Sequence, residues 1–227
     1  FMSISISIKK IVSQDWLEAY PELSPYKVNK LYKVVGPFIL GIELITLPFQ
    51  SRKYRPHFVG YCLWGNDEEE CMLGPLFMQE ISNKKGLQFN IPFSDYDSKN
   101  AEAIECTKNQ IKTSFDKIVL IKDLLQVFNN LFSSSYSLPE KMHVYITKFY
   151  FALYIGDLNL INETLKEIIN VSSDWGPNIF KFRYGTREQF IEKLQNDIIN
   201  RESFLNLVKL NQGSNKFKKL KISDLEY

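Results

Sequence analysis

The side chains best suited to chemistry are concentrated in residues 52–57, with the sequence Arg-Lys-Tyr-Arg-Pro-His. His57 could act as a general base, while Arg52 and Arg55 could bind a phosphate or stabilise a developing anion, and Tyr54 adds a hydroxyl. Such a set would suit metal-independent cleavage of a phosphoester or a nucleic acid. The same residues also suit a solvated turn that enters a strand, or a contact with an anion or a partner, so these interpretations stay open.

A second polar cluster is a run of four adjacent carboxylates between two apolar segments, which predicts a charged hairpin tip. Adjacent carboxylates repel one another and could steer a basic protein partner. Charged loops also keep neighbouring strand edges from pairing with other chains, which is the alternative interpretation. The predicted partner-binding residues are Asp67, Glu68, Glu69 and Glu70.

Few other residues offer the groups that catalysts and metal sites require. The chain has two histidines, His57 and His143, and three cysteines without a CxxC spacing. No second histidine lies one turn from His143, so a helical zinc pair is absent. The segment from Asp95 begins like a calcium loop, but Cys106 stands where a bidentate glutamate is required. The chain also lacks a phosphate-binding glycine loop. We therefore expect no metal and no cofactor, and this scarcity favours a non-enzymatic protein over an enzyme.

The cysteines and the apolar segments indicate in which cellular compartment the protein resides. Cys62, Cys71 and Cys106 are odd in number, which argues against a disulfide framework and favours a reducing cytosol. Ser3–Ile8 alternates polar and apolar residues, so no secretory h-region is seen there. Val34–Phe49 is the most apolar stretch, but prolines and glycines interrupt it and prevent a spanning helix. The sequence predicts a soluble cytoplasmic protein without a membrane partner.

The composition is that of an ordinary globular protein. The 227 residues are 44% hydrophobic and 24% charged, and the net charge is +2. A charge this small makes nucleic acid an unfavoured partner. Lysine outnumbers arginine by 23 to 5, which is typical of an AT-rich bacterial genome.

Strand patterns dominate the first 96 residues. Ser3–Ile8 alternates as a half-buried strand should, and Asp15–Tyr20 predicts a short helix that ends at a proline. Further predicted strands, separated by turn residues, are Lys27–Val35, Phe38–Leu47, His57–Trp64, Met72–Gln79 and Leu87–Phe93. Their close spacing leaves no room for crossover helices. We therefore predict an antiparallel sheet of about five to six strands.

From residue 97 the apolar period becomes helical. Pro139 suits the first turn of a helix that runs to Ile155 and is apolar nearly all round, which predicts a central position. Gly156 and Asp157 predict the end of that helix and the start of the next. Thr186–Gln189 predicts a capping box. Asp97 or Ser98 is predicted to be the N-cap of another helix, and a further apolar stripe at helical spacing begins at Ile118.

Together these patterns predict an α+β fold. A sheet from residues 1–96 packs on helical residues 97–212 in one composite domain, and an exposed basic tail follows at 213–227. The leading function is a non-enzymatic cytosolic protein-binding module, a class that includes immunity proteins that mask a basic toxin. The first alternative is the phosphoester or nucleic-acid enzyme built on the arginine-histidine segment. The second is a scaffold or regulatory protein that binds a peptide along its helical hairpin.

Overall fold

The computed structural model describes residues 6–47, 52–111, 115–133, 138–181 and 184–227, and it confirms the α+β class. The helices are α1 (Ile6–Ala19), α2 (Glu68–Cys71), α3 (Asp97–Gln110), α4 (Ile121–Ser133), α5 (Leu138–Ile155), α6 (Leu158–Val171), α7 (Asn178–Lys181), α8 (Arg187–Ile199) and α9 (Arg201–Gln212). The strands are β1 (Ser24–Lys27), β2 (Lys30–Val35), β3 (Phe38–Thr46), β4 (Lys53–Cys62), β5 (Phe77–Glu80), β6 (Ile91–Pro92), β7 (Ile118–Leu120) and β8 (Ile222–Glu226).

The sheet is larger than predicted and is mixed. Its eight described strands have the main order β5-β4-β3-β2-β8-β7, with β1 beside β2 and β6 beside β4. The predicted antiparallel meander is confirmed for β2 to β5. All pairs among β1 to β6 are antiparallel, so the predicted sheet of residues 1–96 is confirmed; the whole sheet is mixed because β8, from the C-terminal segment, runs parallel to both β2 and β7. These two parallel neighbours come from distant parts of the chain, which a prediction from adjacent segments could not pair.

The end of the chain belongs to the fold. The prediction of an exposed tail is wrong for Phe217 and Leu220, which are buried, and β8 lies inside the sheet between β2 and β7. The ring of Phe217 lies 6.3 Å from that of Tyr26, centroid to centroid. The many lysines in this segment predicted exposure of the whole segment. Long charged side chains can reach solvent while the apolar residues between them, here Phe217 and Leu220, are buried.

The structure also corrects the predictions for three short segments. Residues 3–5 lie outside the described residues, but Ile6–Ile8 begin a helix instead of a strand, since Val12 and Trp16 bury one helical face at i and i+4 spacing. The segment from Ile118 is first a strand, β7, and only then a helix. In α3 the predicted Asp97 is the first helical residue and not the cap, because the helix follows directly on a 3-10 turn.

Several local signals in the helical half are confirmed. Gly156 has a positive φ of 77°, and the carboxylate of Asp157 accepts from the Leu160 amide at 3.0 Å. Thr186 and Gln189 form the predicted capping box at the start of α8. No helix among the described residues is long and apolar enough to cross a bilayer.

Helices cover both faces of the sheet, so two apolar clusters form. One contains Trp16 of α1 and Phe128 of α4, and the other contains Phe190 of α8. The predicted central position of α5 is confirmed, because Phe151 belongs to the first cluster and Phe149 to the second. A helix that is apolar all round can fill this place between two cores.

Candidate functional site

A cleft of about 740 Å³ opens between α5, the α8–α9 pair and the connection from β4 to β5. His143, Ile146 and Tyr150 line it from α5, and Trp64 and Glu70 line it from the connection. The side formed by α8 and α9 is lined by Lys193, Asp197, Asn200, Ser203, Phe204 and Leu207. This volume and this mixture of aromatic and polar groups are typical of ligand-binding sites.

A stack of three aromatic rings forms one wall of the cleft. The rings of Trp64 and Tyr150 are 4.9 Å apart with an interplanar angle of 28°, and those of Tyr150 and Phe204 are 5.4 Å apart at 24°. Tyr150 and Phe204 are buried, whereas Trp64 is half-buried. The indole therefore keeps apolar surface that a ligand can cover. We call these three residues the aromatic wall.

A polar group lies beside the aromatic wall. The hydroxyl of Tyr150 donates to Oδ2 of Asp197 at 2.5 Å, and Nζ of Lys193 donates to the same oxygen at 2.7 Å. Lys193 and Asp197 are one turn apart on α8, which places their side chains on one face. Because the ammonium group balances the carboxylate, this part of the cleft is polar without a net charge.

Glu70 brings the acidic run to the lip of the cleft, and the run has partners within the protein. It lies in the β4–β5 connection, as predicted for a hairpin tip. Oδ1 of Asp67 caps α2 by accepting from the amides of Glu69 and Glu70 at 2.9 and 2.8 Å. Oε2 of Glu70 accepts from the Asn66 amide at 2.9 Å and from the Asn66 side chain at 2.7 Å. Glu70 is thus held at the cleft by its own loop.

The other two acidic residues contact the C-terminal segment. Oε2 of Glu68 accepts from the Lys216 amide at 3.2 Å, and Nζ of Lys216 pairs with Glu69. The hydrogen bond to Glu69 raises the pKa of Lys216, so this lysine remains charged at neutral pH. The four carboxylates are therefore a structured turn with one counter-charge, so the run keeps a net negative charge.

The arginine-histidine segment does not assemble as one group. β4 alternates its side chains, so Arg55 and His57 share one face while Tyr54 lies on the other. There Tyr54 is fully buried, and its hydroxyl donates to Asn100 at 3.2 Å. Arg52 lies on the surface before the strand begins. Of the four candidate residues, the structure brings together only Arg55 and His57.

Neither of these two side chains is directed at an open site. Arg55 donates from Nε to the Phe89 carbonyl at 2.9 Å, from Nη2 to Asn90 at 3.0 Å and from Nη1 to Glu80 at 3.4 Å. His57 is 8% exposed, and its Nε2 lies 3.7 Å from the same Glu80 carboxylate. Burial lowers the pKa of His57, although the Arg55 carbonyl and Glu80 partly oppose this. The imidazole is thus neutral at pH 7.

His57 is part of a row of polar and charged side chains that crosses four strands. Lys30 of β2 lies opposite Glu43 of β3, Glu43 lies opposite His57 of β4, and His57 lies opposite Glu80 of β5. Nζ of Lys30 donates to Glu43 at 3.0 Å. Opposite charges on directly paired residues, here Lys30 and Glu43, stabilise a given register of the strands. We call these four residues the cross-strand row.

Glu43 is the most buried member of the row. It is 6% exposed and also accepts hydrogen bonds from the hydroxyls of Tyr32 and, at 2.6 Å, Tyr61. Burial, followed by the hydrogen bond to Glu43, raises the pKa of both tyrosines. A buried carboxylate with three donors is satisfied. This arrangement accounts for the row as a structural network.

Sequence analysis missed the cleft because its residues come from four separate segments. The one local signal was Lys193 and Asp197 at i and i+4. His143, to which the sequence assigned no site, lies exposed at the cleft. Among the described residues, no group of three or more His, Cys, Asp or Glu is placed to hold a metal ion.

Compared with known proteins, the chain matches no family model, no curated protein and no solved structure. Its function therefore has to be inferred from its own geometry. Of the two regions described, the cleft offers exposed apolar surface next to charge, whereas the arginine-histidine segment is bound to its own neighbours.

Proposed function

We propose that this chain is a non-enzymatic protein-binding module whose cleft holds a short segment of a partner. The segment would place an apolar side chain against the aromatic wall and a basic side chain at the acidic lip. The observation that carries this proposal is the position of the half-buried Trp64 beside Glu70 in one open cleft. Aromatic side chains in a partly desolvated pocket are where binding energy concentrates in protein interfaces.

Apolar surface at the rim supports a peptide occupant. Leu73, in the same connection as Trp64, is 87% exposed and lines the cleft. Leu207 faces it from α9 and is half-buried. Exposed apolar side chains around a concavity gain free energy when a partner covers them, by about 25 cal/mol for each Å² removed from water. An apolar anchor such as Leu or Phe would make this contact.

The charges at the cleft favour a basic neighbour for that anchor. Asp197 is already balanced by Lys193, and the acidic run, which Glu70 brings to the cleft, adds net negative charge at the lip. Opposite charge on a partner raises the association rate more than the final affinity. The basic toxins masked by immunity proteins would present segments of this kind.

The enzymatic alternative has less support. It needs the guanidinium of Arg55 to hold an anion, yet three of its nitrogens already donate to Phe89, Glu80 and Asn90. It also needs His57 as an accessible general base, yet His57 is buried. The scaffold alternative shares its peptide ligand with our proposal, but the cleft uses α5 together with α8 and α9 instead of the α5–α6 hairpin.

A displayed random-peptide library, panned against the full chain, tests the proposal. We expect enriched peptides to carry a Trp, Phe or Leu within a few residues of Lys or Arg. Calorimetry with one such peptide should show an affinity loss of about tenfold or more for Leu73→Asp. The matched control is Leu158→Asp, since Leu158 is 69% exposed at the start of α6 and lies outside the cleft.

The contribution of charge to peptide binding is tested separately from that of apolar burial. Glu70→Gln should slow association of the same peptide at low salt, and the difference should shrink at high salt because ions screen exposed charges. Glu163→Gln, which changes an exposed residue of α6, should leave the rate unaltered. The proposal would be refuted if the enriched peptides bind the Leu73→Asp variant as tightly as the unaltered chain and share no basic residue.

A further inference from the structure

A buried side-chain amide of α9 is bonded to the backbone on both sides of Trp64. Asn211 is 3% exposed, and its Nδ2 donates to the Leu63 carbonyl at 2.9 Å and to the Gly65 carbonyl at 2.8 Å. An amide nitrogen carries two hydrogens, so each carbonyl receives one of them. One side chain therefore fixes the chain immediately before and immediately after the indole of the aromatic wall.

Secondary structure alone does not hold this part of the chain. β4 ends at Cys62 and α2 begins at Glu68, so Trp64 lies in the connection between them. Buried carbonyls need hydrogen-bond donors, and the strand that would supply them has ended before Trp64. The amide of Asn211 takes the place of these donors.

α9 supplies both this amide and a ring of the aromatic wall. Phe204, Val208 and Asn211 follow one another at spacings of four and three residues, which places them on one helical face, and all three are buried. Gln212 donates from Nε2 to the Gly36 carbonyl at 2.9 Å and so fixes the end of α9 against the β2–β3 turn. The position of α9 therefore sets two members of the aromatic wall together.

We infer that Asn211 is a positioning residue, which holds Trp64 in the orientation that the partner segment meets. This inference rests on the proposed function, because it gives Asn211 a part in the same cleft. Trp64 is half-buried and stacks on Tyr150 at 4.9 Å, so a shift of its backbone would disrupt the aromatic wall. A side chain that is already held in its bound orientation loses less conformational freedom when a partner binds, which raises the affinity.

Fluorine NMR of the full chain, labelled with 5-fluorotryptophan, tests this position without any partner. The chain has three tryptophans and should give three signals, of which Trp64→Phe identifies one. Asn211→Ala should shift or broaden the Trp64 signal and leave the signals of Trp16 and Trp175 in place. The two unmoved signals also show that the variant is folded. Asn211→Ser, which keeps one donor, replaces Asn211→Ala if that variant does not fold, and the same signal should move.

Asn100→Ala is the matched control. Asn100 is also a buried asparagine on a helix, at 8% exposed, but it accepts from the hydroxyl of Tyr54, to which Nε1 of Trp16 donates at 3.5 Å. Its substitution should therefore move the Trp16 signal and leave the Trp64 signal in place. With a peptide enriched against the cleft, calorimetry should show an affinity loss of about three- to tenfold for Asn211→Ala and none for Asn100→Ala.

The outcomes separate this inference from the proposed function. An unmoved Trp64 signal, equal shifts of all three signals, or an unaltered peptide affinity in Asn211→Ala would overturn the positioning role. The proposed function would still stand in that case if Leu73→Asp weakens binding. If no peptide binds the unaltered chain, the proposed function fails, whereas a shift confined to the Trp64 signal would still show that Asn211 holds the indole.

Discussion

The hydroxyl of Tyr150 donates a 2.5 Å hydrogen bond to Asp197 and so joins α5 to α8 beside the cleft. The ring of Tyr150 is at the same time the middle member of the aromatic wall, between Trp64 and Phe204. One side chain thus supplies both the apolar and the polar part of the site. Because the ring and the hydroxyl have separate roles, a substitution can remove one and keep the other.

Tyr150→Phe keeps the ring and removes the hydroxyl. We expect the free energy of unfolding to fall by about 1–2 kcal/mol, because a part-buried hydrogen bond to a charged group is lost. Urea unfolding measures this change. Tyr227→Phe is the control, since Tyr227 is highly exposed and its substitution should have no effect. Equal stabilities of the two variants would show that the bond to Asp197 contributes nothing.

The buried tyrosines predict a loss of stability at high pH. Burial raises the pKa of Tyr54 to about 12, from an ordinary value of 10.0. A raised pKa in the folded state means that the stabilisation is complete below pH 10.0 and is lost as the pH rises towards 12. The pKa values of Tyr32 and Tyr61 are also raised, so these hydroxyls resist ionisation in the same way.

Phenolate absorbance measures this effect. At about pH 11, fewer phenolates should form in the folded chain than in the same chain in urea, where each of the 12 tyrosines titrates normally. Tyr54→Phe should reduce the loss of stability over this range, whereas Tyr227→Phe should not. Complete ionisation near pH 10 while the protein remains folded would contradict the buried positions.

His57 predicts the opposite dependence on the acid side. Burial lowers its pKa below the ordinary value of 6.5, so the neutral imidazole is the form that stabilises the fold. Its contribution is present above pH 6.5 and is lost as the pH falls through the lowered value. The stability advantage of the unaltered chain over His57→Gln should therefore shrink between about pH 7 and pH 5.

Urea unfolding of both proteins at several pH values gives that difference. His143→Gln is the matched control, because His143 is exposed on α5 and its substitution should give a much smaller change with pH. A His57→Gln variant whose stability deficit stays constant from neutral to acid pH would show that the imidazole is not desolvated as the structure indicates.

The C-terminal segment can be tested by one buried residue. Phe217→Ala should lower the free energy of unfolding by about 3–5 kcal/mol, because a fully buried ring is removed from a packed site. Lys219→Ala, two residues later on the exposed side, should change it by less than about 0.5 kcal/mol. Thermal or urea unfolding compares the two. Equally small effects of the two substitutions on the free energy of unfolding would support the exposed tail that the sequence predicted.

Local patterns predicted most of the helical half. The capping box at Thr186 and the Gly156-Asp157 junction act over a few residues, so the sequence alone carries them. The apolar circumference of α5 likewise predicted its burial, and Phe149 and Phe151 are fully buried, although Tyr154 is only half-buried. The helix at Ile6 was missed because its first residues also alternate like a strand.

The sequence by itself determined the class of fold, the antiparallel pairing of β2 to β5 and the position of the acidic run in a turn, since these depend on short spacings and local propensity. Only the tertiary structure decided that β8 joins the sheet, and that Tyr150 and Asp197 build one side of a cleft. These contacts join residues far apart along the chain. Their partners are chosen by the packing of whole elements, which no local pattern specifies.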